Sequence, residues 1–288
     1  MSAAEYYPAP AKLNLFLHVT GRRSDGFHEL QTVFRLIDIA DRIGFRVRED
    51  GAIRRMNDVA DVPEDTDLIV RAARLLQRES GTNLGVDVFV EKHLPVGGGL
   101  GGGSSDAATT LIALNRLWAT GLRRAELQRI ALPLGADVPV FVFGRNAFGE
   151  GVGERLSPVT LPPEWYVVIV PAVLVSTASV FSHPDLTRNS DAIRIAAFST
   201  GWRQWRTAFG GRNDLQGVVR KMHPEVARGL DWLAGFGDAR MTGSGACVFC
   251  SFDTEHEARE VLARKPEEFG GFLARGLEEH PLRALVED

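Results

Sequence analysis

Residues 94–115 read LPVGGGLGGGSSDAATTLIALN, with six glycines inside positions 97–103. Fixing glycine costs more backbone entropy than fixing any other residue. Such a run is therefore either a flexible linker or a loop whose main chain another group must approach closely. The residues that follow decide between the two. Ala107, Ala108, Leu111, Leu114, Leu117 and Trp118 recur at helical spacing, which predicts a helix from about Ser105 to Ala119 with Gly121 as its C′ residue. A linker does not normally run straight into an amphipathic helix headed by two serines. Glycine amides can approach a phosphate without a Cβ clash, Ser104 and Ser105 can cap the helix, and the helix dipole favours negative charge at that end. The expected ligand of the run is a polyphosphate.

Two other uses of the glycines fit less well. A phosphate-binding G-x-x-x-x-G-K-[ST] loop needs a lysine before the hydroxyl, where Gly103 stands. Gly97, Gly99 and Gly102 satisfy G-x-G-x-x-G, but the acidic residue expected about 20 positions on, at the end of a following strand, has no candidate because a helix comes next.

Composition narrows the partners. The formal net charge is −4, where a chain that binds nucleic-acid backbones carries a basic excess. The N-terminus has no basic start followed by an apolar core. The longest apolar run, WYVVIVPAVLV at 165–175, is too short to cross a membrane and contains Pro171. Neither a membrane nor a nucleic acid is expected as partner, and a cytoplasmic location is. The two cysteines, Cys247 and Cys250, fall in ACVFCSF, which reads as a strand; residues three apart then point to opposite faces, as buried structural thiols. No H-E-x-x-H or similar spacing marks a zinc site.

The rest of the chain reads as mixed helices and strands. KLNLFLHV (12–19) alternates, with Leu13, Leu15, Leu17 and Val19 on one face and Lys12, Asn14, Phe16 and His18 on the other. After the turn GRRSDG, strands are expected over Val33–Ile39 and 43–49. A helix capped by Thr66 and closed by Gly81 follows, then the strand VDVFV, and a further helix near 124–132. The Gly- and Pro-rich segment 149–164 marks a domain boundary. Beyond it come the strand WYVVIV, the segment STASVF, a low-hydropathy stretch to about 212 and a helix from Asp214 through Leu233. The loop MTGSG, the strand ACVFCSF, a helix over 254–264 opened by the Thr254-x-x-Glu257 capping box, and the strand GGFLARGL complete the order. The fold class is α+β.

Two charged residues stand out. Lys12 shares the less apolar strand face with Asn14. Asp137, in LGADVPVFVFG, is an N-cap for a turn at Val138-Pro139 and, without contradiction, a base or orienting carboxylate. A carboxylate flanked by so much apolar sequence needs a cationic partner, which Lys12 can supply. Asp106, in the first turn of its helix, reads first as a dipole partner.

PAPAKLNLFL, LPVGGGLGGGSSDAA and MTGSGACVF together resemble the GHMP kinase superfamily of small-molecule kinases. AKLNLFLHVTGRRSDGFHELQTVF, EDTDLIVRAARLL, GEGVGE and RNDLQ extend the resemblance over about residues 8 to 280. DGFH and GADVP narrow it to members whose acceptor alcohol carries a cytidine diphosphate. The resemblance implies a two-domain α+β fold with a deep cleft, residues 1–160 forming the N-terminal ATP-binding domain and 161–288 the C-terminal domain. It implies that ATP, with Mg²⁺, phosphorylates the 2-hydroxyl of a cytidine diphosphate-linked methylerythritol on the non-mevalonate route to isoprenoid precursors.

The same resemblance implies site roles. Asp137 and Lys12 match the catalytic carboxylate and its lysine partner. Pro95, Val96, Gly97, Gly98, Gly99, Leu100, Gly101, Gly102, Gly103, Ser104 and Ser105 match the phosphate loop. Asn14 stands near the substrate, His28 matches the reader of the cytosine edge, and Thr177 and Phe181 match the cytidine side. Phe27 replaces a tyrosine that stacks on cytosine and keeps the π-face. Asp67 replaces a helix-opening asparagine on the adenine side. Metal ligands are not legible beyond the Ser105 hydroxyl or Asp106, and oligomeric state is not legible at all. The alternatives are a GHMP-type kinase for a different alcohol, a dinucleotide-dependent oxidoreductase that would bind NADH, and a nucleotide sensor that binds ATP without turnover.

Overall fold

The structure, a computed structural model, describes residues 3–59, 62–194 and 211–288. Two long strands organise the first half. β1 (Glu5–Arg22) pairs antiparallel with β2 (His28–Arg48) across a turn in which Asp25 accepts from the Phe27 amide at 3.1 Å. β2 runs unbroken across residues 40–42, where the polar pair Asp41 and Arg42 reads in sequence as a gap between two strands. Asp41 is buried there and accepts from the Leu94 amide at 2.8 Å, so its polarity is satisfied inside the sheet edge.

The second edge of β2 is shared. Its residues 42–48 pair with β4 (Gly85–Glu91), and residues 30–34 pair with β5 (Ala147–Gly151). With β3 (Ile53–Arg55) and β6 (Arg155–Pro158) this makes a six-stranded sheet. α1 (Leu68–Ser80), α2 (Gly102–Leu117), α3 (Arg124–Ala131) and α4 (Val138–Phe143) belong to its helical layer, sealing a cluster that includes Leu36, Val88, Leu111 and Phe141.

The second half is a four-stranded sheet in the order β10-β7-β9-β8, formed by Gly270–Arg275, Trp165–Val170, Val248–Phe252 and Arg240–Met241. WYVVIV shows why it lies in the middle of the molecule. Val167 and Ile169 face helices Gln216–Met222, Pro224–Ala234 and Glu255–Ala263, while Tyr166 and Val168 face Leu13, Val33 and Ile37 of the first sheet. Cys247, just ahead of β9, and Cys250, within it, are both buried and divide between the same two clusters. Burial pushes the Cys247 thiol up to about 12.

Several local expectations are corrected. A register shift between Asn14 and Leu17 breaks the alternation of β1, so Phe16 joins Leu13 and Leu15 while Leu17 and Val19 pack in the second cluster. Asp67, not Thr66, caps α1, accepting from the Ile69 amide at 2.9 Å; Gly81 closes the helix in the left-handed region as expected. α2 ends at Leu117, and Ala119 rather than Gly121 makes the first left-handed turn beyond it. STASVF is largely the short helix α5 (Thr177–Ser182). Pro224, which has no amide hydrogen to donate, splits the expected helix over 214–233 in two at His223. The Thr254–Glu257 capping box is present. Most of the low-hydropathy stretch up to 212 lies outside the described residues.

After β10 the chain returns to the first sheet. The Leu277 amide donates to the Leu36 carbonyl at 2.7 Å, and Leu282 and Val286 enter the first cluster. The buried Arg124 guanidinium gathers the carbonyls of Val142, Arg283 and Val286 at 2.9, 2.8 and 2.6 Å.

Candidate active site

The glycine run folds as a loop and then directly as helix. α2 begins at Gly102, three residues earlier than the apolar spacing indicates, with Gly101 at the N-cap position. The serines therefore do not cap. The Ser105 hydroxyl donates to the Pro10 carbonyl at 2.6 Å and is buried, whereas Ser104 lines the cavity in front of the helix. The first intrahelical bond runs from the Ser105 amide to the Gly101 carbonyl at 2.8 Å, which leaves the earlier amides of the turn to meet an anion.

Glycine is required at two points of the loop. Gly99 has φ 75°, and a Cβ there would lie 2.2 Å from the Thr242 carbonyl oxygen. Gly101 has φ 73°, and a Cβ there would press on the Lys12 side chain and the Phe141 ring at 3.1 and 3.0 Å. The loop is thus stitched between β1 and the MTGSG turn. The Lys12 amide donates to the Leu100 carbonyl at 3.0 Å, and the Cys247 amide donates to the Gly98 carbonyl at 3.1 Å.

Lys12 is buried with its ammonium at the floor of the cavity. It lies 3.2 Å from Oδ2 of Asp137, donates to the Gly99 carbonyl at 2.9 Å, and also donates to Oδ1 of Asn14. Asn14 is fixed in turn: its side chain donates to the Thr32 hydroxyl at 2.9 Å, and its amide to the Thr242 hydroxyl at 3.0 Å. Asp137 holds the N-cap position of α4 but its side chain makes no cap. It keeps 35 % of its side-chain surface exposed, against 2 % for Lys12, so the pair has a sealed half and an open half.

These groups line one cavity of about 550 Å³, within the size of small-ligand sites. At one end stand Asp67, Leu68, Val90 and Lys92; at the other, Leu30, Val175, Thr177 and Phe181. Asp67 is neutralised by Arg55 at 2.6 Å, both side chains being buried. Thr177 shares a hydrogen bond with Ser244 of the MTGSG turn at 2.7 Å. His28 meets this end through its ring, 5.0 Å from that of Phe181, and Phe27 stands 63 % exposed on the turn beside it.

Asp106 is more than a dipole partner. It is buried, faces Lys92 at 2.7 Å, and shares that ammonium with Asp41. Burial, reinforced by the Asp41 charge and opposed by Lys92, pushes its carboxyl up to about 7. Lys92 is raised above its ordinary value because the two carboxylates outweigh its desolvation. Among the described residues no three His, Cys, Asp or Glu side chains converge as a metal cage. The two metal ligands suggested by the sequence are both committed elsewhere, Ser105 to a carbonyl and Asp106 to Lys92. Sequence reasoning missed Thr32, Asp41 and Lys92. Thr32 carries a weak signal, as a polar residue inside an apolar strand; the other two are surface-like charges until folding brings them together.

Known proteins resemble this chain over nearly its whole length. Residues 67–145 match the GHMP kinases N terminal domain and residues 190–270 the GHMP kinases C terminal domain. A protein of Nitrosospira multiformis named 4-diphosphocytidyl-2-C-methyl-D-erythritol kinase is 58% identical over 283 residues, covering 97% of this chain and 94% of its own. One of the same name from Thiobacillus denitrificans is also 58% identical, covering 98% and 99%. The crystal structure of a 4-(cytidine 5'-diphospho)-2C-methyl-D-erythritol kinase superposes with a TM-score of 0.79 at 32% identity, over 94% of this chain and 99% of that one. Methanococcus jannaschii mevalonate kinase, at 15% identity and a TM-score of 0.67 over 96% and 99%, shares the fold. The chain belongs to the GHMP kinase family, among the 4-diphosphocytidyl-2-C-methyl-D-erythritol kinases.

Proposed function

We infer that the chain transfers the γ-phosphoryl group of ATP to the 2-hydroxyl of 4-diphosphocytidyl-2-C-methyl-D-erythritol, a step of isoprenoid precursor synthesis. The observation that carries the chemistry is the Lys12–Asp137 pair at 3.2 Å, in one cavity with the N-terminus of α2. The relatives' names and identities favour this acceptor over a different alcohol.

Phosphoryl transfer asks a protein mainly for positioning and charge stabilisation. The open carboxylate of Asp137 receives the proton of the acceptor hydroxyl, and the sealed Lys12 ammonium offsets negative charge developing on the transferred oxygens. The Gly97–Ser104 main chain and the α2 dipole hold the phosphates. Mg²⁺, bound with ATP in front of the Gly97–Ser104 loop, would supply further charge neutralisation on the transferred phosphoryl group. Thr177, Phe181, His28 and Phe27 hold the cytidine, and Asn14 the polyol. We assign the nucleotide phosphates to the part spanning 1–160. We assign a cytoplasmic setting; the two cysteines are buried, and among the described residues no helix is long and apolar enough to cross a membrane.

The test is ADP release from ATP and Mg²⁺ with 4-diphosphocytidyl-2-C-methyl-D-erythritol, wild type against Asp137→Ala. Acceptor-dependent ADP, largely lost in the variant, is expected. ATP binding without ADP from this acceptor would move the search to other small alcohols.

A further inference from the structure

Arg188 lies in the segment that follows α5, and its guanidinium is used on every side. Nη1 donates to the Leu186 carbonyl at 3.1 Å, and Nη2 to the carbonyls of Phe181 and His183 at 2.9 and 2.8 Å. Nε donates across to Nε2 of His28 at 3.2 Å. Three main-chain acceptors thus fix the fork on the turn after α5, and the fourth bond reaches the first residue of β2. The same guanidinium holds both partners of the ring contact between His28 and Phe181.

An arginine side chain stays protonated and has only donors. His28 Nε2 must therefore be the acceptor and carry no proton, which in a neutral ring puts the hydrogen on Nδ1. Nδ1 has no hydrogen-bond partner among the described residues and is not one of the sealed polar atoms. Partial burial, then the charges of Arg188 and Arg22, hold the ring below the ordinary histidine value, so it is neutral at pH 7.

We propose that Arg188 is a positioning residue for base choice: it fixes His28 beside Phe181 as the Nδ1–H tautomer, so that the ring offers a pyrimidine one donor and no acceptor. The proposal rests on the cytidine reading above and deepens it. Cytosine presents adjacent acceptors at O2 and N3, whereas uracil places an N3–H donor where cytosine has the N3 acceptor. A ring locked as a donor matches the first base, and against the second it sets donor to donor at that position. Discrimination built from an unmatched polar pair of this kind exceeds what apolar contact achieves.

The test reads the tautomer first. In ¹⁵N spectra of the ligand-free protein, His28 should show a pyridine-like Nε2 and a pyrrole-like Nδ1. Arg188→Met should mix or invert the two, while Arg188→Lys, which keeps a donor, should restore them. With acceptors differing only in cytosine or uracil, Arg188→Met should lower the kcat/KM preference for cytosine about tenfold. That loss should fall on KM, with kcat for the cytidine acceptor nearly unchanged and partial recovery in Arg188→Lys. A pyrrole-like Nε2 in the wild type overturns the proposal, as does an Arg188→Met variant whose tautomer and base preference both stay as in the wild type. Lack of turnover with the cytidine acceptor would count against the reaction assignment, and the spectra would still report the lock by themselves.

Discussion

The carboxylate of Asp137 stands at the start of α4 without capping it and faces the Lys12 ammonium at 3.2 Å instead. A cap residue that leaves its own helix uncapped is serving a partner elsewhere. Replacing it with asparagine keeps the shape and removes the base, so Asp137→Asn should lower kcat by about 10²–10⁴-fold. The KM for ATP should change little, because the proposed role sets Asp137 on the acceptor hydroxyl and leaves the phosphates to the glycine loop. Steady-state ADP release and ATP titration check the split; a loss confined to ATP affinity would contradict the role.

Two glycines of the loop should respond in opposite directions. Gly99→Ala puts a Cβ 2.2 Å from the Thr242 carbonyl at a positive φ, so the loop or the MTGSG turn must move. A cost of about 1–3 kcal/mol is expected, together with a KM for ATP raised about tenfold or more. Gly103 is helical and its added Cβ would meet only Leu68 Cδ1 at 3.6 Å. Gly103→Ala should stabilise by about 0.5–1 kcal/mol. Urea unfolding of both variants decides; equal destabilisation would contradict this account of the loop.

His280 should make the fold sensitive to acid. Its ring is buried, Nδ1 accepts from the Leu282 amide at 3.0 Å, and burial with the nearby Arg124 charge pushes it down to about 3. Below pH 6.5 the unfolded chain takes up a proton that the native ring refuses. Its contribution is therefore complete above 6.5 and declines as pH falls towards 3, by about 2 kcal/mol between pH 6.5 and 5. His280→Asn can accept the same amide and should show a shallower loss over that interval in urea titrations. An unchanged slope would assign the acid sensitivity elsewhere.

Asp106 acts with the opposite sign. With its carboxyl raised to about 7, the native state holds a proton between pH 3.8 and 7 that the unfolded chain has released. Stability therefore falls as pH rises through that range and levels off above 7. Asp106→Asn mimics the protonated form, so it should match the wild type at low pH and exceed it at pH 8 by on the order of 1–3 kcal/mol. Thermal unfolding at pH 5 and 8 reads the difference, and a variant less stable than the wild type at both values would contradict it.

Periodicity served best where one side chain pattern met one environment. WYVVIV, VDVFV and the Thr254–Glu257 box all form the predicted elements, and the six-glycine run lies at a helix N-terminus. It failed where tertiary contacts reversed a local preference. Asp41 looked like a strand break because its partners, the Leu94 amide and Lys92, are more than fifty positions away. Asp67 displaced Thr66 as cap because Arg55 could neutralise it in a buried setting. In the site, Lys12 and Asp137 were legible as charges in apolar company. Asn14's supports, Thr32 and Thr242, and the whole of Arg188's network depend on contacts that no spacing rule encodes.

The return of residues 277–288 to the first sheet alters how the molecule is built in time. Leu282, Val286 and the Arg283 and Val286 carbonyls held by Arg124 are made only after every strand of both sheets. The N-terminal half therefore waits, with part of its helical layer uncovered, until residues 277–288 have been made. A nascent chain stalled before residue 277 holds every group proposed above for the chemistry on an incomplete scaffold, so an interruption there removes structural closure and leaves those residues intact.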